Sequence, residues 1–88
     1  MNSIINLDDE NEVAEFIEKY KTTKGRRLAN LLGLRGKGCV KVANNISCYA
    51  WNKFTAIGLR ELGKIEKAQM YEGICDRIYK GLPSEVKW

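Results

Sequence analysis

Residues 40–62, VKVANNISCYAWNKFTAIGLREL, decide the fold of this chain. Apolar side chains recur in this stretch at the spacing of an α-helix, and Val40, Trp51 and Leu62 widen the apolar face that they form. A helix with so much apolar surface packs against neighbours on more than one side. We therefore predict a central helix over residues 40–62, with a core face made of Ala43, Ile46, Ala50, Phe54 and Ile57.

The same stretch permits an alternative, a β-hairpin over residues 39–51. Val40, Val42 and Tyr49 favour strands, and the pair Asn44-Asn45 is typical of a tight turn. The alternation that a strand needs fails at residues 50–51, whereas the helical period continues as far as Ile57. We favour the helix, and the hairpin stays open as the alternative.

A first helix is predicted from Asp8 or Asp9 to about Lys21. Asp9 and Glu12 have the spacing of a capping box, and an acidic first turn suits the positive end of the helix dipole. The apolar face of this helix repeats at helical spacing and consists of Val13, Phe16, Ile17 and Tyr20.

A short second helix is predicted before Gly33. Thr22 or Thr23 is suited to cap its start, and Gly33 to end it, because glycine adopts the left-handed conformation without steric cost. Its predicted apolar face consists of Leu28, Leu31 and Leu32.

A fourth helix is predicted over residues 64–80, after the break at Gly63. The sequence Gly81-Leu82-Pro83 is a strong stop signal for it. Helices three and four then form an antiparallel hairpin. A heptad-like seam follows the fourth helix: Ile65, Ala68, Tyr71, Cys75, Ile78 and Leu82.

These elements predict an all-α fold, a compact bundle of about four helices in one domain over residues 1–88. Residues 1–7 and 84–88 are expected to be loose tails, unless Trp88 pins the second one. No apolar run approaches the roughly 18 residues of a membrane span, and residues 1–5 lack the features of a signal peptide. We therefore expect a cytoplasmic protein without a membrane partner.

Catalytic and metal-binding chemistry finds little support in the composition. The chain has no histidine, which excludes Ser-His and Cys-His nucleophiles as well as histidine metal sites. Its three cysteines are widely spaced, so neither a disulfide framework nor a Cys-x-x-Cys metal site is expected. We expect no enzyme, no metal and no cofactor.

The charges are strongly segregated along a chain of net charge +4. Residues 1–18 carry six acidic residues and no basic one, whereas residues 19–60 carry ten basic residues and no acidic one. Residues 61–88 carry five of each sign. A positive field over one part of a surface is the usual sign of a polyanion partner, although solvated basic faces without a ligand also occur.

The loop over residues 33–38, GLRGKG, is the best local candidate for a phosphate contact. Gly36 and Gly38 allow a phosphate to approach closely, Arg35 and Lys37 add charge, and a helix N-terminus follows the loop. The loop is not a Walker A motif, because no Ser or Thr follows the lysine and no strand precedes the loop. A hinge with solvated charges is the alternative.

The stretch 28–34, LANLLGL, resembles the first helix and turn of a helix-turn-helix DNA-binding motif. Such motifs carry an alanine, then a glycine four positions later, with flanking leucines. The resemblance implies that Arg35, Lys37 and Lys41 face phosphates, and that Asn44 or Asn45 reaches base edges. Gly36 and Gly38 depart from the motif, since they fall where its recognition helix begins.

The sequence therefore predicts a small accessory protein that binds DNA or RNA through the phosphate backbone. Tyr49 is a candidate for stacking on a base. The alternative is a protein-interaction module, an adapter or an inhibitor of a larger complex as mobile elements often encode, acting through Tyr79, Leu82 and Trp88 or through acidic helix one. A homodimer through helix four is a further expectation. The predicted nucleic-acid-binding residues are Lys24, Arg26, Arg27, Arg35, Lys37, Lys41 and Asn45.

Overall fold

The chain folds into four α-helices and a short C-terminal 3-10 helix over the residues that a computed structural model describes, 5–88. No β-strand occurs within those residues. The all-α prediction is confirmed, and the alternative hairpin over residues 39–51 is wrong. The elements are α1 (Glu10–Tyr20), α2 (Gly25–Leu31), α3 (Cys39–Glu61), α4 (Ile65–Lys80) and the 3-10 helix (Ser84–Val86).

Helix α3 is the central element, because α1, α2 and α4 all pack against it. Ala43, Ile46 and Ala50 of α3 are fully buried, as the helical period predicts. Val13 of α1 and Leu28 of α2 are fully buried in the same cluster. Small alanines on α3 let its neighbours approach closely, and Ile46 fills the space between them.

The bounds of α1 agree with the prediction to within a residue. The carboxylate of Asp9 accepts a hydrogen bond from the backbone N–H of Asn11 at 2.8 Å, which caps the helix start. The Tyr49 hydroxyl donates to the Asp8 carboxylate at 3.0 Å. This bond ties the start of α1 to the middle of α3.

The second helix differs from the prediction at both its start and its buried face. It begins after Lys24, and neither Thr22 nor Thr23 caps it. Ala29 is fully buried, whereas Leu31 is 57% exposed. Leu28, Ala29 and Leu32 span a narrow arc of the helix, and Leu31 projects about 100° away from its centre.

The α3–α4 turn confirms the predicted antiparallel hairpin. Gly63 has φ +77°, a left-handed conformation that ends α3, and the Lys64 N–H donates to the Leu59 carbonyl at 2.9 Å. The Arg60 guanidinium bridges to Glu72 of α4 with two hydrogen bonds, one of them 2.8 Å long. This pairing lowers the pKa of the Glu72 carboxyl.

Replacing the two glycines Gly63 and Gly73 by alanine should change stability in opposite directions. Gly63→Ala forces a Cβ into a left-handed conformation and should cost about 1 kcal/mol. Gly73 lies inside α4 with open space around its Cα, so Gly73→Ala should add about 0.5–1 kcal/mol. Urea unfolding measures both changes, and a loss of stability in Gly73→Ala would contradict the exposed position of that residue.

The C-terminal segment is packed, so the expectation of a loose tail over residues 84–88 is wrong. Leu82 and Val86 are buried. The Trp88 ring meets the rings of Tyr49 and Tyr79 edge-on, with centroids 4.9 and 5.0 Å apart, and the Tyr79 hydroxyl donates to the Trp88 carbonyl. Trp88 therefore holds the C-terminal segment against the fold, which is the alternative that the sequence analysis left open.

Residues 5–7 of the other expected tail are also packed. Leu7 is fully buried, and Ile5 packs against the core cluster. The rest of that predicted tail, residues 1–4, lies outside the described residues.

The buried thiol of Cys75 makes the fold sensitive to alkaline pH. Burial raises the pKa of this thiol from 9.0 to about 11, and the Sγ atom donates to the Tyr49 carbonyl at 3.6 Å. The folded chain therefore keeps the thiol proton up to a higher pH than the unfolded chain does. The stabilisation by the protonated thiol is fully present below pH 9 and is lost as the pH rises from 9 towards 11.

We expect the step from pH 8 to pH 10 to destabilise the wild type by about 1 kcal/mol more than Cys75→Ala. Urea unfolding of both proteins at the two pH values measures the difference. Equal losses in the two proteins would show that the thiol ionises as freely in the fold as in the unfolded chain.

The half of the α3–α4 hairpin nearest the Gly63 turn is not covered by α1 or α2. Phe54 and Leu62 were predicted on the apolar face of α3 and Ile65 on the seam of α4, yet they are 46%, 72% and 42% exposed. The core cluster takes its buried α3 residues from positions 43–50. Of the other predicted seam residues, Ala68, Cys75 and Leu82 are buried, and Tyr71 and Ile78 are half-buried.

No helix within residues 5–88 has the length and apolarity that crossing a membrane requires.

Candidate nucleic-acid interface

Six cationic side chains are exposed around the N-terminal end of α3, and we call them the basic surface. The ion pairs found within residues 5–88 join Lys21 to Glu18 and Arg60 to Glu72. None of them involves the basic surface, so its charge is not neutralised by close carboxylates. Its members are Lys24, Arg26, Arg27, Arg35, Lys37 and Lys41.

The start of α2 is attached to the first turns of α3. The Gly25 N–H donates to the side-chain oxygen of Asn44 at 3.4 Å. Lys24 precedes this contact directly, and Lys41 lies one helical turn before Asn44. The contact therefore brings the cations of α2 beside the cation of α3.

The glycine-rich loop forms the other side of the basic surface. Gly36 and Gly38 have φ +87° and +79°, conformations that side chains other than glycine rarely adopt. The loop lines a cavity of about 540 Å³ with Arg35 and Lys37 in its wall. The opposite wall comes from the C-terminal segment and contains Pro83, Glu85 and Val86.

The end of α3 at this cavity carries unpaired backbone donors. Gly38 caps the helix without a side-chain acceptor, and the first turn contains no acidic residue. The N–H groups of Val40 and Lys41 have no acceptor within the helix. The positive end of the helix dipole therefore adds to the charge of the neighbouring cations.

The basic surface wraps around the end of α3 and does not lie on one flat face. Val40 and Asn44 lie on the side of α3 that α2 approaches, whereas Val42 lines the cavity on the other side. Lys41 projects between these two sides.

Asn45 shares the face of Lys41 and is half-buried. Asn44, the other candidate for reading bases, already accepts the Gly25 N–H. Lys41 and Cys48 are exposed on the same side of α3 as Asn45.

The helix-turn-helix register is absent. Helix α2 ends at Leu31 and α3 begins at Cys39, whereas the motif joins its helices by three or four residues. The extra residues form the glycine-rich loop, so Gly36 and Gly38 lie outside α3. The resemblance of residues 28–34 therefore describes a helix end and not a recognition unit.

Tyr49 does not serve as a stacking platform, because it is only 4% exposed. Burial and the hydrogen bond to Asp8 raise the pKa of its hydroxyl well above the usual range. The thiols of Cys39, Cys48 and Cys75 are free, and no group of three or more potential metal ligands occurs within residues 5–88.

Sequence reasoning missed two features of the structure. The first is the C-terminal wall of the cavity, which carries the carboxylate of Glu85 across from Arg35 and Lys37. No local pattern marks this contact, because it joins residues about 50 positions apart. The second is that one side of α3 is exposed beyond Ala50. The unusually wide apolar face of this helix was the signal in the sequence that could have revealed it.

Comparison of the chain with protein-family models, curated proteins and solved structures finds no match.

Proposed function

We propose that this chain is a small nucleic-acid-binding accessory protein that contacts the phosphate backbone through the basic surface. The observation that supports it best is the unpaired state of six exposed cations drawn from α2, the loop and the start of α3. Phosphates replace the small counterions around such a surface, and the release of those ions drives binding.

The acidic first helix does not neutralise this surface. Among its carboxylates, the one within ion-pair distance of a cation is Glu18, which approaches Lys21 at 3.9 Å. Lys21 is not part of the basic surface. The chain therefore carries separate acidic and basic regions, which orient it relative to a polyanion.

The binding mode is electrostatic, with little reading of sequence. Long lysine and arginine side chains on a curved surface contact phosphates of many backbone geometries. The half-buried Asn45 and the occupied Asn44 offer few donors and acceptors to base edges. We infer similar affinities for unrelated sequences of one strandedness.

Fluorescence anisotropy with labelled duplex DNA, single-stranded DNA and RNA across a salt series tests the proposal. Six phosphate contacts predict a log–log slope of about −5 on a duplex, which is about a thousandfold loss of affinity from 50 to 200 mM salt. Single strands should give a shallower slope, of about −4. Absence of binding at low salt to all three ligands would refute the proposal.

A protein-interaction module is the alternative, and its predicted surface needs correction. Leu82 is buried, and Trp88 is half-buried against Tyr49 and Tyr79, so these residues hold the C-terminal segment to the fold. Exposed apolar residues on the distal part of the hairpin include Trp51 and Phe54. A partner that binds there would be unaffected by charge changes in the basic surface.

A further inference from the structure

An apolar stripe runs along the distal half of α3. Trp51, Phe54, Gly58 and Leu62 follow one another at intervals of three or four residues, so they lie on one side of the helix. Trp51 is 42% exposed, Phe54 46% and Leu62 72%. We call these four residues the distal stripe.

No element within residues 5–88 covers the distal stripe. Two and three turns before Trp51, the same side of α3 carries Asn44 and Val40, where the start of α2 packs. Helix α4 lies on the other side, as the contact of Cys75 with the Tyr49 carbonyl and the burial of Ala56 show. The stripe is therefore the continuation of a covered helix face into solvent.

The exposed apolar area is large for a chain of 10.0 kDa. Aromatic side chains each offer roughly 150–250 Å², so the exposed parts of Trp51, Phe54, Leu62 and Ile65 amount to about 400 Å². The largest apolar patch of a typical monomer is of about this size and is often functional. This area provides about half of the 800 Å² that each partner contributes to a standard interface.

The distal stripe is complementary to a second copy of itself. Phe54 and Leu62 lie four residues before and after Gly58. In an antiparallel pair with its two-fold axis at Gly58, Phe54 faces Leu62 of the other copy. A Cβ at Gly58 would meet nothing within 4 Å of its own chain, so this point is open to a close approach.

The charges near the stripe also permit pairing of identical copies. Residues 51–77 carry five basic and four acidic residues and hence a net charge of only +1. Glu61, which borders the stripe, would face Thr55 of the other copy, because each lies three residues from Gly58. No like charges meet, whereas a polyanion finds no cationic partner on the stripe.

We infer that the chain forms a two-fold homodimer in which the distal stripes of two copies pack antiparallel around Gly58. Each hairpin then covers the apolar face that is exposed on the other. The basic surface stays free, since it lies at the opposite end of α3. Dimerisation is independent of the proposed nucleic-acid binding.

Sedimentation velocity over a concentration series, without nucleic acid, tests this inference. The wild type should form a species of twice 10.0 kDa as the concentration rises. Gly58→Lys places two cations at the two-fold axis and should weaken dimerisation at least about tenfold. Lysine favours a helix more than glycine does, so loss of the dimer in this variant cannot come from unfolding.

Gly73→Lys is the matched control, because Gly73 is also a helical glycine with open space where a Cβ would lie. It should dimerise as the wild type does. A wild type that stays monomeric at every concentration would overturn the inference and leave the stripe to a different partner. A dimer that survives Gly58→Lys would overturn it as well, because another face would then hold the copies together.

Discussion

A variant with four cations of the basic surface replaced by glutamate should bind nucleic acid at least about a hundredfold more weakly than the wild type. Loss of the favourable contacts and repulsion from the new carboxylates act in the same direction. The log–log salt slope should also fall towards zero. The replaced residues are Arg26, Arg27, Arg35 and Lys37, which sample both sides of the end of α3.

A control variant with the same change of charge separates this surface from net charge alone. Four exposed cations of the α4 region provide it: Lys64, Lys67, Arg77 and Lys80. Each replacement by glutamate changes the charge by two units, so both variants carry −4 where the wild type carries +4. The control should keep most of the salt-dependent affinity, provided that circular dichroism shows both variants folded.

Equal losses in the two variants would mean that binding depends on overall charge and has no defined surface. Unchanged binding in the first variant would exclude the basic surface altogether. Dimerisation should persist in this variant, because none of its four changes lies on the distal stripe.

Ile46→Ala should cost about 2–5 kcal/mol of unfolding free energy. Ile46 is fully buried at the centre of α3, where α1 and α2 pack, and truncation leaves a cavity. The total free energy of unfolding of a chain of 88 residues is about 4–13 kcal/mol, so this change removes a large share of its stability. Urea unfolding monitored by circular dichroism measures the loss.

Met70→Ala is the matched comparison, since Met70 is a large apolar residue of α4 that is 57% exposed. Its truncation should cost less than about 1 kcal/mol. Similar losses in the two variants would place the core elsewhere than around the N-terminal half of α3.

The helices themselves were predictable because their signals are local. The apolar period of residues 40–62 outweighs the strand-forming residues within it, and α3 spans Cys39–Glu61. Gly33 and Gly63 both have positive φ values and end their helices as predicted. Such signals act over one or two turns and need no knowledge of distant residues.

The exposure of particular apolar residues was not predictable from the same patterns. Periodicity shows that Phe54 and Leu62 share a face with each other, but not whether another helix covers that face. Helix α2 has only seven residues, and its start packs at Asn44, so it leaves the distal stripe open. Leu31 is exposed for a related reason, since the short helix turns Ala29 towards the core.

The candidate site shows the same division. Segregated charge in the sequence identified the cations of the basic surface, and the structure shows them exposed and unpaired. Their arrangement around the end of α3 depends on the Gly25–Asn44 contact and on the C-terminal segment pinned by Trp88. Both contacts join residues far apart in sequence.

The helical class, the helix ends at Gly33 and Gly63 and the sign of the surface charge follow from the sequence, because propensity, capping and composition act locally. The tertiary structure alone decided which apolar residues are covered, that the C-terminal segment is packed, and that the cations surround one helix end. These outcomes depend on how long each helix is relative to its neighbours, which no single segment encodes.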